Sequence, residues 1–231
     1  MQTIVISGAN RGIGLELTRR FLQSGARVVA GCRHPDSADA LRALASASGK
    51  LEIVQLDVGD AASVAALGNA LKDQPVDVLI NNAGIMGGEH QALKDMDYAA
   101  WLQTFEINTL APFRMTATLL PNLKLAKRAR VITVSSQMGA FAMGGMGVDR
   151  YAYCSSKAAV SRTMQIMAEE LKADGIIVCP VHPGWVRTDM GGANAQISAE
   201  ECAGGLFRLI ENLTPAQSGR FWRWDGTEHP W

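Results

Sequence analysis

Runs of β-branched and aliphatic residues alternate with helical patterns along the chain. Thr3–Ser7 reads as a buried strand, and Gly12–Ser24 as a helix closed by Gly25. Arg27–Ala30, Leu51–Leu56 and Val76–Ile80 are the next strands, joined by helices over 37–48 and 61–72. A long helix is expected over Trp101–Leu125, then a strand over Ala129–Ser135. Tyr151–Ala173 is helical and leads into the strand Ile176–Val181; a helix over Ala199–Asn212 and a strand over Gly219–Trp224 complete the series. Continuous apolar strands, each joined to the next by a helix, imply an α/β fold. The expected architecture is a single doubly wound Rossmann-like domain, 1–231, with a seven-stranded, mainly parallel sheet covered on both faces. Two irregular segments, 139–149 and 184–197, follow strand ends. In such a sheet these loops build the ligand crevice.

Composition narrows the function classes. The chain has 231 residues, 48% hydrophobic and 19% charged, with Lys+Arg and Asp+Glu both at 22. That balance leaves no electrostatic footprint for nucleic acid or an anionic membrane. The cysteines Cys32, Cys154, Cys179 and Cys202 are scattered without metal-ligand spacing, so neither a disulfide framework nor a metal site is expected. The opening Met-Gln-Thr-Ile-Val-Ile-Ser-Gly has no basic region and only a short apolar run, so the expectation is a cytoplasmic protein.

Candidate chemistry begins at the first strand–helix junction, Ser7-Gly8-Ala-Asn-Arg-Gly12-Ile-Gly14. Glycines there allow a tight turn and close backbone approach, and the following helix N-terminus can hold a pyrophosphate. A glycine-rich turn without a ligand is the plainer alternative. After the second strand comes Gly31-Cys32-Arg33-His34, with Asp36 only beyond its end. A carboxylate at that place would bind a ribose 2′-hydroxyl, whereas Arg33, with Arg11 as a second cation, suits a 2′-phosphate. NADP(H) is therefore expected over NAD(H), unless both are ordinary surface arginines. Tyr153 and Lys157 stand four apart and share one helix face, where an ammonium would lower the phenol's pKa. Tyr151 has Ser155 at the same spacing, which is no cation, so Tyr153 is the better candidate. Side chains alternate along a strand, so only one of Ser135 and Ser136 faces the site.

Gly8-x-x-x-Gly12-x-Gly14, Asp57, Asn81-Asn82-Ala83-Gly84, Asn108, Ser135-Ser136, Tyr153-x-x-x-Lys157 and Pro183-Gly184 with Thr188 occur in the order and spacing of the short-chain dehydrogenase/reductases. The chain resembles that family over essentially its whole length, and its closing Ser218–Thr227 segment is similar to the C-factor-like proteins and small carbonyl reductases. The resemblance implies reversible reduction of a ketone or aldehyde. Tyr153 would be the acid–base group, Lys157 would tune it and bind the nicotinamide ribose, Ser136 would bond the carbonyl oxygen, and Asn108 would help hold a relay water. It further implies cofactor contacts from Gly8, Asn10, Arg11, Gly12, Ile13 and Gly14 in the loop, and from Arg33. Asp57 and Val58 would lie beside the adenine, and Asn82, Ala83 and Gly84 along the cofactor-side turn. Pro183, Gly184, Val186 and Thr188 would lie at the nicotinamide. Tyr153 and Lys157 themselves would also touch the cofactor.

The spacing from Ser136 to Tyr153 exceeds the commonest family spacing by a few residues, and the excess falls in the glycine- and methionine-rich 139–149 segment. Either that segment forms a pocket for an apolar substrate or it is a surface loop tolerating insertion. His182 reads as a satisfied strand-end histidine, and Trp222, Trp224 and Trp231 as packing or interface residues; Trp185 is a candidate pocket wall. Partners are then a small carbonyl or alcohol substrate, with neither nucleic acid nor membrane, and a homodimer or homotetramer through the long helices. The alternatives in function are an NAD-linked alcohol dehydrogenase and a non-catalytic nucleotide-binding signalling protein.

Overall fold

The computed structural model describes residues 1–144 and 147–231. Its sheet consists of β1 (Thr3–Ser7), β2 (Arg27–Cys32), β3 (Leu51–Gln55), β4 (Val78–Asn81), β5 (Arg130–Val134), β6 (Ile177–His182) and β9 (Trp222–Arg223). The order is β3-β2-β1-β4-β5-β6-β9, with every pairing parallel. The strands read as unbroken apolar runs because both faces are covered. Alternation sends Ile4, Ile6, Val28 and Ile80 towards α1 (Gly12–Gln23) and α7 (Ala199–Asn212), where Leu17, Phe21 and Leu206 meet them. Val5, Val29, Leu79 and Val131 point the other way. They pack on α3 (Ala61–Ala70), α5 (Ala111–Leu125) and α6 (Tyr151–Glu170) through Leu67, Leu119 and Met164. Each such side chain withdrawn from water contributes about 2 kcal/mol before entropy is set against it.

Several boundaries differ from the sequence expectation. The helix expected over 37–48 opens as a 3-10 turn at Pro35–Ser37 and continues as α2 (Asp39–Ala47). The last strand shrinks to Trp222–Arg223, paired with Val181 and His182 of β6, and Gly219 at φ +77° lies in a turn before it. Within the 184–197 segment a small parallel pair appears, β7 (Val186–Arg187) with β8 (Ile197–Ser198). The expected helix over Trp101–Leu125 is not continuous. α4 (Tyr98–Phe105) and α5 are joined by a π turn over Glu106–Leu110, in which the Ala111 N–H bonds the Glu106 carbonyl five residues back. Pro112 explains the interruption: it lacks the N–H that an α-helix would aim at the Asn108 carbonyl, and its ring crowds that carbonyl.

The chain reverses between β1 and β4, so loops diverge to either side of a crevice at the C-terminal ends of these strands. The glycine loop, Arg33, Asp57, Asn82, Ser136 and Pro183 follow strand ends on that edge, whereas Asn108, Tyr153 and Lys157 come from the helical segments. The 139–149 segment starts with 3-10 turns at Gln137–Gly139 and Phe141–Met143, and its residues 145 and 146 lie outside the described ones.

Candidate active site

The glycine loop leaves β1 with Gly8 at φ +65° and Gly12 at φ +55°, left-handed values at which a side chain is strained. Gly14 is needed for a different reason. A Cβ there would lie 2.3 Å from the Gly8 carbonyl and 2.6 Å from Asn82 Nδ2. The loop is laced to the turn after β4: Asn82 Nδ2 donates to the Ser7 and Gly8 carbonyls at 3.0 Å each. The Ser7 hydroxyl in turn accepts from the N–H groups of Asn82 and Ala83 at 3.1 Å each. Arg11, at the N-cap of α1, makes no side-chain cap, and the first turn carries no acidic residue. This end of α1 therefore presents backbone donors and a positive dipole, which fits a pyrophosphate. Thr188 lies against the loop, since a Cβ on Gly12 would come 3.0 Å from its methyl. Asn10 and Ile13 lie on the same loop and first turn.

Arg33 follows the last residue of β2 and is exposed. Arg11 is exposed too, but its guanidinium is paired with Asp189, just beyond Thr188. Of the two cations expected at a 2′-phosphate, one is thus engaged across the cleft. Asp57 turns its carboxylate onto the Gly59 N–H at 2.9 Å, and Val58 beside it is buried. Pro183 and Gly184, the latter at φ +83°, lead from β6 to Val186, and Trp224 packs against Gly184.

On the other side of the crevice, Tyr153, Ser136 and Lys157 converge. Tyr153 is 7% exposed, whereas Tyr151 is 47% exposed. Ser135 turns towards α6, bonding Ser161 Oγ at 2.7 Å and the Lys157 carbonyl at 3.2 Å. Ser136 faces the phenol, and its hydroxyl also accepts from the Met138 N–H at 3.1 Å. Burial pushes the Tyr153 pKa up to about 12, against a smaller downward pull from the Ser136 hydrogen bond and a small further rise from Cys154. The sequence expectation was a pKa lowered by Lys157. Burial, which disfavours the phenolate, outweighs any such pull, and burial separately draws the Lys157 ammonium down to about 8. Lys157 Nζ donates to the Val134 carbonyl at 2.8 Å.

Asn108 occupies the π turn, and its amide is fully engaged. Oδ1 accepts from the Ile85 N–H at 2.9 Å, while Nδ2 donates to the Ile85 carbonyl at 2.8 Å and to Ser156 Oγ at 3.0 Å. Ser156 passes the network on to the Tyr153 carbonyl at 2.8 Å. A Cβ on Gly84 would sit 3.2 Å from Asn108 Oδ1 and 3.5 Å from Lys157 Nζ, so this glycine admits the two groups. Ser156, Ser161 and Gln91 escaped the sequence reading, since serines on a helix and a lone glutamine in a loop carry no spacing signal. His182 accepts from the Gln137 N–H at 3.3 Å, next to Ser136. No cluster of His, Cys, Asp and Glu among the described residues could hold a metal ion. Among the described residues, no helix is long and apolar enough to cross a membrane.

Residues 2–198 match the family model described as short chain dehydrogenase. The chain is 46% identical to C-signal of Myxococcus xanthus over 157 residues, covering 68% of this chain and 93% of that protein. The crystal structure of NADPH-bound carbonyl reductase from chicken fatty liver superposes with a TM-score of 0.93 at 32% identity, covering 100% of this chain and 99% of the other. Carbonyl reductase Sniffer of D. melanogaster gives 0.94 at 30% identity, with both chains covered in full. The family match covers most of the chain and the two structural likenesses cover all of it, and the chain belongs to the short-chain dehydrogenases, a family of oxidoreductases.

Proposed function

We propose that this protein is an NADPH-dependent reductase of an apolar ketone or aldehyde, with Tyr153 as the acid–base group. The observation that carries this reading is the convergence of Ser136, Tyr153 and Lys157 across a crevice from an uncapped helix N-terminus. The residues fit the cofactor: left-handed glycines, a free dipole end, and Arg33 without a carboxylate beside it. NADPH in the chicken carbonyl reductase structure supports the choice of cofactor. When bound, the nicotinamide supplies the hydride.

The chain's own groups manage the oxygen. With its pKa raised to about 12, Tyr153 is held as the neutral phenol at physiological pH, the form that can give a proton to a forming alkoxide. Ser136 donates to the same oxygen where charge develops, so its bond strengthens in the transition state. Lys157 holds the ribose and keeps a positive charge behind the phenol, which stabilises the phenolate left after proton transfer. Exposed Phe141, Trp185 and Met190 on the loops after β5 and β6 suit an apolar substrate. Self-association through α4, α5 and α6 belongs to the same reading, supported by exposed Leu102, Phe113 and Ile166 on their outer faces.

Tyr153→Phe tests the mechanism. Carbonyl-dependent oxidation of NADPH should fall about 10²- to 10⁴-fold with cofactor affinity unchanged; retained turnover would remove Tyr153 from the chemistry. A second reading, a nucleotide-binding signalling protein without turnover, draws on the identity to C-signal. It requires that no compound in a broad carbonyl panel drive NADPH oxidation.

A further inference from the structure

Gln91 lies in the loop between β4 and α4 and is 1% exposed. Its amide makes three hydrogen bonds. Nε2 donates to the Met86 carbonyl at 3.0 Å and the Gly88 carbonyl at 2.8 Å, and Oε1 accepts from the Tyr153 N–H at 3.2 Å. The amide orientation is fixed by its partners, because a flipped group would face two carbonyls with an oxygen and an N–H with a nitrogen.

The bond to Tyr153 falls where helix α6 lacks support of its own. Arg150, at the N-cap, makes no side-chain cap, and Tyr153 is the third helical residue, one whose N–H has no partner inside the helix. Gln91 supplies that cap from a distant loop. At the other end of the same residue, the Tyr153 carbonyl is held by Ser156, itself oriented by Asn108, whose amide grips Ile85. Residues 85–91 therefore hold the Tyr153 backbone at both N–H and carbonyl. Gly87, at φ +88°, lets the loop fold tightly enough to do so: a Cβ there would lie 3.1 Å from Gln91 Nε2.

We propose that Gln91 is a positioning residue for the reaction, coupling the conformation of the 85–91 loop to the placement of the Tyr153 phenol. The proposal rests on the reading of Tyr153 as the acid–base group. Loop and phenol move as one body, so a substrate that settles against the loop also sets the tyrosine. Displacement of a reacting group by about 1 Å can cost 10²-fold in rate, which is the scale available to this contact.

The test uses Gln91→Leu, Gln91→Glu and Tyr153→Phe in the full chain, with NADPH oxidation, NADPH affinity and a pH–rate profile as readouts. Gln91→Leu should lower kcat about 10- to 100-fold while NADPH affinity stays unchanged, because the glycine loop is untouched. Gln91→Glu keeps the acceptor for Tyr153 and, when protonated, one donor. It should approach wild-type rates at low pH and lose activity as its carboxyl ionises against the Met86 and Gly88 carbonyls. That limb is absent from the wild type, and circular dichroism held constant across it separates displacement of the phenol from loss of the fold. Wild-type kcat in Gln91→Leu together with an unaltered pH profile in Gln91→Glu, alongside an inactive Tyr153→Phe, overturns the inference alone. An active Tyr153→Phe overturns both it and the reading beneath it. Where Gln91→Leu fails to fold, the pH limb of Gln91→Glu decides.

Discussion

Lys157 carries its ammonium 5.7 Å from the centre of the Tyr153 ring, with both side chains almost wholly buried. Burial acts on the two in opposite directions and favours the neutral form of each, the phenol up to about 12 and the ammonium down to about 8. At neutral pH the phenol is therefore uncharged, while Lys157 keeps most of its charge.

That arrangement has a cost in stability. The folded pKa of Lys157, about 8, lies below its ordinary value, so the unfolded chain binds more protons between about 8 and 10.4. Stability rises with pH through that window, and at neutral pH the buried charge withholds on the order of 3 kcal/mol. Lys157→Met should raise the melting temperature of the cofactor-free protein by several degrees while abolishing turnover. Calorimetry of the two proteins at pH 7 checks this; an unchanged or lower melting temperature contradicts it.

Arg33 and Arg11 make separable predictions for the cofactor. Arg33→Ala should weaken NADPH about 10- to 100-fold and leave NADH nearly unaffected, the loss expected for charge-assisted bonds to a phosphate. Arg11 is held by Asp189, so Arg11→Ala should have the smaller effect. Titrating both cofactors into each variant decides it; equal weakening of NADPH and NADH by Arg33→Ala would show that the 2′-phosphate is not read there.

His182 predicts an acid limit to stability. Burial first, then electrostatic repulsion from the neighbouring His229 and Arg223, draws its pKa down to about 4 against a smaller opposing pull from Asp225. The imidazole is neutral in the folded state and accepts the Gln137 N–H. Below about 6.5 the unfolded chain takes up a proton that the folded one refuses, so stability falls from there towards pH 4, by at most about 3 kcal/mol. Urea unfolding at pH 7 and pH 4.5 should show that loss, and His182→Asn should flatten it. Parallel slopes in the two proteins would assign the acid limit to other groups.

What the sequence made legible were features written as local patterns. Unbroken apolar strands declared a parallel sheet, and the glycines of the first strand–helix junction announced a tight turn, with φ positive at Gly8 and Gly12. Tyr153 was separable from Tyr151 because a helix face carries partners four residues apart. The π turn at 106–110 was hidden, since the apolar repeat runs through it and Pro112 alone does not say whether a helix bends, stops or widens. The raised pKa of Tyr153 was also illegible: it depends on how much water the fold removes, which no spacing encodes. Gln91 was invisible for the same reason, as its three partners lie on two loop carbonyls and a helix far along the chain.

The π turn has a consequence for the geometry of the whole helical arm. One residue corresponds to about 100° of rotation in an α-helix. On one side of the turn Trp101 directs its indole N–H to Ser155 on α6 at 3.1 Å, and on the other α5 seats Leu119 in the core against the sheet. Because the Ala111 N–H reaches back five residues, the turn takes up one residue more than an α-turn would. The turn thus absorbs the residue that Pro112 displaces from a regular helix, and the docking of α4 on the helix that carries Tyr153 and the seat of α5 on the sheet are kept together.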